Sequence, residues 1–346
     1  MGHEVLFMDV NNPFPDGHRG YGFVPIRYGH EAYVIKQLQD VQKQFKPDVV
    51  HVHFVDQRAF LCARAGLRPL VLSVWGSDIN DHFLPGADTT RRHMMSMTLS
   101  AADLVVVDAP FMETRCRELA GRNIRTELIH LGVNGELFRP GYTKEAADWR
   151  RKLDVPQKAG VMLSARAWAP HYRQREIMEA FSRAIPRLNR ESILLYKIHN
   201  RISYPENRKY EMELRNLAIE LGISQNVRWI EEVPMERLPE IYAMSDVVIN
   251  YPTKDTLPVT FLEAAACEKP VISILLPSYA KTFAEKLLMM VGPGSDNLTD
   301  AIVCFINGGA GDVQARMKEA RRIVLNDFNE CTYMARLNNA YLDLTD

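Results

Sequence analysis

The sequence predicts an α/β protein built on two parallel sheets, and three observations carry that prediction. Short apolar runs alternate with amphipathic segments along the whole chain, the rhythm of stacked βα units. The rhythm lapses after Gly132, where the chain turns polar, and restarts at Val161. The length of 346 residues exceeds what one hydrophobic core usually supports and fits two domains of about 150 to 200 residues each.

In the first half, short apolar runs predict strands over residues 4–10, 49–53, 70–74, 104–107 and 126–130. Amphipathic segments between them predict helices over 30–45, 57–65, 91–100 and 111–119. Residues 11–25, NNPFPDGHRGYGFVP, hold three Pro and three Gly and read as a long loop. The domain junction falls near residues 140–158. Beyond it, strands are expected over 161–165, 194–199, 227–230, 247–251 and 271–274, and helices over 176–184, 206–221, 312–326 and 331–344. The resulting domains are 1–150 and 151–327, with a C-terminal helix over 328–346 packing back on the first.

Composition narrows the function. With 47% hydrophobic, 25% charged and 9% aromatic residues, disordered, collagen-like and disulfide-scaffold classes are excluded. A net charge of -1 argues against a broad polyanion-binding surface, so no nucleic-acid partner is expected. Five cysteines, Cys62, Cys116, Cys267, Cys304 and Cys331, lie far apart with no CxxC pair, which suits buried free thiols in a reducing compartment and no zinc site. No run of about 18 apolar residues occurs, and no cationic segment feeds an apolar stretch at the N-terminus, so the cytoplasm is the expected location.

The stretch YPTKDTLPVTFLEAAACEKPVIS, residues 251–273, is the most informative. A strand ends at Tyr251, a Pro-bearing loop follows, and a helix from about Phe261 runs through Ala264, Ala265 and Ala266 into another strand. Asp255 and Glu263 therefore bracket a loop at the carboxyl edge of a strand, where open α/β sheets bind ligands. The residues alone also allow a plainer reading, in which Asp255 caps a turn and Glu263 complements the helix dipole. His51 and His53 alternate on one face of a strand. A metal pair there lacks a third ligand at close spacing, and hydrogen-bonding histidines at a strand end fit better. Met94, Met95 and Met97 read as helix packing or as an apolar surface.

Residues 251–273 resemble the donor-binding motif of the retaining glycosyltransferases of family 4, the glycosyl transferases group 1. The family's Glu-x7-Glu, Leu-Glu-Ala and Pro-Val appear here as Asp255 with Glu263, Leu262-Glu263-Ala264 and Pro270-Val271. A shorter acid replaces the first glutamate, and the usual glycine before the Pro-Val is absent. The resemblance implies a GT-B fold, two Rossmann-like domains with parallel sheets facing across a cleft. It implies that Glu263 accepts hydrogen bonds from the donor's ribose and Asp255 from hydroxyls of the transferred sugar; a charged acceptor strengthens such bonds. Backbone around Thr256, Leu257, Pro258 and Val259 would face the sugar and diphosphate at a helix start.

SARAWAPHYRQREIMEAF, residues 164–181, resembles a second family segment, in which an Arg and a Lys about five residues later bind the diphosphate. Arg166 fits the first position and Arg173 is the nearest cation to the second. A guanidinium meets a diphosphate bidentately and stabilises the charge that develops on it; the plainer reading is a solvated surface cluster. NVRWIEEVPMERLPEIYAMSDVVIN, residues 226–250, resembles the segment lining the family's base pocket, with backbone at 230–233, Val233 included, facing the base. Lys197-Ile198-His199-Asn200 stands where the family has a glycine-rich turn.

In the first half, PDVVHVHF, SVWGSDIN, AADLVVVDAP and LIHLGVNGELFRPG resemble family segments. Trp75 stands where the family often has His, and Asp78 is carried as an acceptor-orienting residue beside a Gly76-Ser77 turn. Gly2-His3-Glu4-Val5 resembles the opening of the family's second strand. About 30 residues, one βα unit, are therefore expected before it and lacking here, and the first domain is expected to be the less protected against hydrogen exchange.

The resemblance implies retaining transfer of a sugar from a nucleotide-sugar, as substrate rather than cofactor, to a saccharide or lipid-linked acceptor, with no metal. The chain contains no Asp-x-Asp. Polysaccharide biosynthesis and peripheral contact with the inner membrane face are the family's common setting. Two other classes share the features: a noncatalytic sugar-nucleotide-binding or scaffolding protein of the same fold, and a glycoside hydrolase using the carboxylate pair.

Overall fold

The computed structural model describes residues 3–9, 22–25, 30–197, 206–309 and 311–345. The chain divides into two compact units, Met1–Ile129 with Arg336–Asp346, and His130–Ala335.

The first unit opens with a parallel pair, β1 (Leu6–Asp9) and β2 (Gly22–Pro25), in register from Leu6 opposite Gly22 to Asp9 opposite Pro25. The second strand lies inside the stretch read as loop. Its proline sits at the last strand position, where a missing N–H is tolerated. Residues 11–21 of that stretch lie outside the described residues. There follow α1 (Glu31–Phe45), β3 (Val50–His53), α2 (Gln57–Arg64), β4 (Leu70–Ser73), α3 (Ser77–Asn80), α4 (Thr89–Ala101), β5 (Leu104–Val107), α5 (Pro110–Ala120) and β6 (Thr126–Leu128). The sheet runs β3-β4-β5-β6, all parallel. Asp56 and Asp88 cap α2 and α4 by accepting from first-turn N–H groups, and α5 starts at Pro110 and stops at a left-handed Gly121. Every residue of β4 and β5 is buried, and all but Ser73 are apolar, as central strands of a parallel sheet covered on both faces require.

The second unit starts earlier than the expected junction. The polar stretch there folds into α6 (Thr143–Lys152), which buries Ala146 and Trp149 in this unit's core and sends the Trp149 indole N–H to Glu240 at 2.6 Å. The next elements are β7 (Gly160–Ser164), α7 (Gln174–Ala184), β8 (Ser192–Lys197), α8 (Glu206–Glu220), β9 (Val227–Ile230), α9 (Leu238–Met244), β10 (Val247–Asn250), α10 (Val259–Ala266), β11 (Val271–Ile274), α11 (Phe283–Leu287), β12 (Met289–Val291), α12 (Ser295–Ile306) and α13 (Val313–Asp327). A last helix, α14 (Glu330–Thr345), begins in the second unit and ends in the first.

The six strands are parallel in the order β12-β11-β10-β7-β8-β9. Counted from β7, this is the doubly wound 3-2-1-4-5-6 arrangement, and the order reverses between β7 and β10. Alternation along the strands feeds two cores. Val161, Leu163, Ile193 and Leu195 join Phe261, Leu262 and Ala265 of α10, while Met162, Leu194 and Tyr196 join Ile177, Met178 and Phe181 of α7.

Two smaller expectations change. Cys62, Cys116 and Cys267 are buried free thiols, but Cys304 and Cys331 are exposed. The buried face of α12 is Leu298, Thr299, Ile302 and Ile306, and Cys304 falls opposite it. Met95 is buried in the first unit's core and Met94 packs against it, while Met97 is 42% exposed. Among the described residues no helix is long and apolar enough to cross a membrane.

Candidate functional site

The point of strand reversal in the second unit positions the two residues singled out on either side of it. Arg166 follows β7 by two residues, and Asp255 lies in the loop between β10 and α10. The Arg166 guanidinium donates from Nη2 to Asp255 Oδ1 at 3.1 Å, with side chains only 15% and 9% exposed. The solvated-cluster reading of Arg166 fails on that burial.

The pair is embedded in a polar network. The Thr256 backbone N–H donates to Asp255 Oδ1 at 3.1 Å and Tyr279 Oη donates to Oδ2 at 3.4 Å. Asn250, the last residue of β10, donates to Tyr279 Oη at 3.2 Å. Tyr172 lies under the guanidinium, with Cζ 4.2 Å from the ring centroid. Burial lifts the Asp255 carboxyl, and Arg166 opposes that rise. Burial likewise works against the Arg166 charge, and Asp255, Tyr172 and Tyr279 outweigh it. Two buried atoms here, Arg166 Nε and Asn250 Oδ1, have no hydrogen-bond partner in the protein. Groups left so in a polar site are suited to a ligand.

Glu263 lies in the body of α10, which starts at Val259 rather than at residue 261 because Pro258 takes the cap position and the Phe261 N–H reaches back to its carbonyl. The small residues Ala264, Ala265 and Ala266 are fully buried, so the helix sits closely on the sheet. Tyr242 of α9 donates to Glu263 Oε2 at 2.6 Å. Burial raises the Glu263 carboxyl, while the Tyr242 bond, Lys197 and Arg166 pull it down. Thr256 and Leu257 are buried beside it. Pro258 has no N–H to offer an anion and the Thr256 N–H goes to Asp255, which leaves the amides of Leu257 and Val259 among those four. Val233 packs half-buried against the core that holds α10.

Arg173 stands at the start of α7. It caps α7 in the left-handed conformation, at φ 53°, pairs with Glu176 at 3.8 Å and lies 5.7 Å from the Tyr251 ring. Ile198, His199 and Asn200 lie outside the described residues.

Asp78 belongs to the first unit, where its carboxylate organises backbone. Oδ2 accepts from Val55 N–H at 2.9 Å, and both oxygens accept from Trp75 N–H, at 3.0 and 3.2 Å. Burial raises it to about 6 against those bonds. Gly76 adopts φ 109° and ψ -68°, a conformation open to glycine alone. His51 bonds Tyr341 Oη and Ser73 Oγ, and its ring lies 4.1 Å from that of His53. Burial, with His53 adding to it, lowers His51 to about 3, so it stays neutral. Both ring nitrogens are thereby used, which fits a hydrogen-bonding strand-end histidine.

Tyr172, Tyr279, Asn250 and Lys197 are residues that sequence reasoning missed. Asn250 and Lys197 end strands and Tyr279 follows one, so asking which polar residues close each strand would have found those three. Tyr242 approaches from a helix and carried no signal.

Known proteins give the arrangement its context. A family model described as glycosyl transferases group 1 matches residues 145–323, and one described as glycosyl transferase 4-like matches 13–109. The GDP-mannose-dependent alpha-(1-6)-phosphatidylinositol monomannoside mannosyltransferase of Mycolicibacterium smegmatis is 25% identical over 275 residues, 75% of this chain and 64% of that protein. D-inositol 3-phosphate glycosyltransferase 1 of Catenulispora acidiphila is 27% identical over 65% of this chain and 55% of its own length. The chain thus spans somewhat over half the length of these two relatives. Among solved structures, sucrose-phosphate synthase from Thermosynechococcus elongatus superposes with a TM-score of 0.81 at 18% identity, covering 99% of this chain and 89% of that one. HepE of Anabaena, in complex with UDP-glucose, gives 0.81 at 16% identity over 99% and 100%. At such identities the likeness is one of fold.

Proposed function

This chain belongs to the glycosyl transferases group 1 family, and from that membership we propose that it moves a sugar from a nucleotide-sugar to a saccharide or lipid-linked acceptor, with retention of configuration and without a metal ion. The observation that carries the reading is the buried Arg166–Asp255 pair at the strand reversal, with Glu263 on the helix that follows. A structural ion pair needs no such place, whereas a nucleotide site in a doubly wound sheet does. The two unpartnered buried atoms beside the pair support the same reading.

In this proposal Glu263 accepts from the ribose hydroxyls and backbone near Val233 borders the base. Arg166 meets the diphosphate, helped by the amides of Leu257 and Val259 at the start of α10. Asp255 holds Arg166 and faces the sugar. The bond from the sugar's anomeric carbon to the diphosphate oxygen breaks as the acceptor oxygen bonds to that carbon on the same face. The acceptor proton passes to the departing phosphate. Negative charge grows on the diphosphate, and a preorganised guanidinium stabilises it more in the transition state than in the ground state. Asp78 acts through the Trp75–Gly76 backbone it fixes, on the acceptor's side of the reaction.

The test is a transfer assay with the sugars of UDP, GDP, ADP and TDP, in chelator, reading released nucleoside diphosphate and product anomer. One donor should turn over with retention, and Arg166→Ala should slow it by about 10²- to 10³-fold. Full transfer by that variant would remove the role given to Arg166. Product formed without any nucleotide-sugar would instead indicate a hydrolase.

A further inference from the structure

Lys197 is a lysine 8% exposed at the carboxyl end of β8, and no part of the reading above uses it. Its neighbours across the ladders are β7, which leads into Arg166, and Ile230 of β9. Strand alternation fixes its face. Leu194 and Tyr196 point into the core under α7, and Tyr196 Oη bonds the Gln174 carbonyl there. Ile193 and Leu195 point into the core that holds α10, and Lys197 continues that side. The Lys197 carbonyl accepts from the Trp168 indole at 2.8 Å, which fixes the strand end.

Burial works against the Lys197 ammonium and lowers it, while the charges of Glu263 of α10 and then Glu232, in the loop after β9, favour it. Glu263 in turn faces Tyr242 of α9, Lys197 of β8, Arg166 beyond β7 and the Cys267 thiol at its own helix end. Arg173, meanwhile, is engaged with Glu176 and Tyr251, and Tyr172 covers Arg166. Burying an ammonium is unfavourable unless opposite charge offsets it, and the carboxylate whose charge favours it most is the one given to the ribose.

We propose that Lys197 is a positioning residue of the donor site, a second buried positive charge beside that of Arg166, set on the sheet face that carries α10 and keeping the Glu263 carboxylate ionised and aimed for the ribose hydroxyls. The proposal rests on the donor-site reading. Glu263 can accept from a diol only as carboxylate, so without Lys197 its protonation, and the loss of nucleotide affinity, come at higher pH.

Calorimetric titration with UDP, GDP, ADP and TDP between pH 5 and 8.5 tests it, on the wild type, Lys197→Met, Lys197→Gln and Lys197→Arg, each with and without Glu263→Gln. For the nucleotide that the wild type binds, the Met and Gln variants should lose about tenfold in affinity at pH 7.5, and their acid limb should move to higher pH. Arg should restore most of both. On the Glu263→Gln background the same replacements should change affinity less than about twofold, since the carboxylate they act through is gone. A folded Met or Gln variant with wild-type affinity and pH profile overturns the role of Lys197 and leaves the donor site standing. If neither neutral variant folds, Arg decides: wild-type affinity and acid limb support the role, and loss of both overturns it. A wild type that binds none of the four overturns the donor-site reading and this inference with it.

Discussion

Asp255 faces a guanidinium across 3.1 Å, whereas Asp78 faces backbone N–H groups from Val55 and Trp75. Both are buried, and burial raises both; the charge beside Asp255 makes it half of an ion pair, while Asp78 is left near 6. That position has a consequence for stability. The ordinary value is 3.8, so the folded chain holds a proton the unfolded chain has lost between about pH 4 and 6. Stability from this group is therefore greatest at the acid end and falls as pH rises through the window. His51 works in the opposite sense: lowered to about 3, it leaves the extra proton on the unfolded chain and favours folding as pH rises. Thermal unfolding of wild type and Asp78→Asn from pH 4 to 7 isolates the aspartate. The wild type should lose stability relative to the variant as pH rises, and parallel curves would remove the assignment.

Among the elements, the parallel pair β1 and β2 stands apart from the four-stranded sheet of its unit, while β7 and β8 lie inside a six-stranded one. Two strands alone are marginal in water. Amides of Leu6–Asp9 should exchange about a hundredfold faster than those of Val161 to Leu163, and equal protection would contradict this account of the pair. The spans 104–107, 227–230 and 271–274 match β5, β9 and β11 residue for residue; β5 is an unbroken apolar run, while β9 and β11 keep apolar residues at both ends around Arg228 and Ser273. The β2 strand was missed because its four residues sit among Pro and Gly, and α6 because its polar face hid the buried Ala146 and Trp149. In the site, Arg166, Asp255 and Glu263 were legible because a motif names them. Arg173, the nearest cation to the family's second position, starts α7 in the left-handed conformation with its guanidinium 5.7 Å from the Tyr251 ring, next to Asn250. Lys197 was visible as a departure from the family pattern; its face followed only once the strand register was known.

For the whole molecule, a net charge of -1 argues against a broad basic surface that would draw in a diphosphate. In the proposed function affinity comes instead from a few buried charges in the second unit, which salt screens little. That unit holds its own six-stranded sheet, two cores and every residue given to the donor. The measurement that tests this most directly is a hydrogen-exchange footprint of the intact chain with and without the nucleoside diphosphate of its donor. Protection should concentrate at residues 165–172, 230–233 and 255–263, the carboxyl edge around the strand reversal. Protection confined to other segments, or none with saturating UDP, GDP, ADP or TDP, would contradict the account.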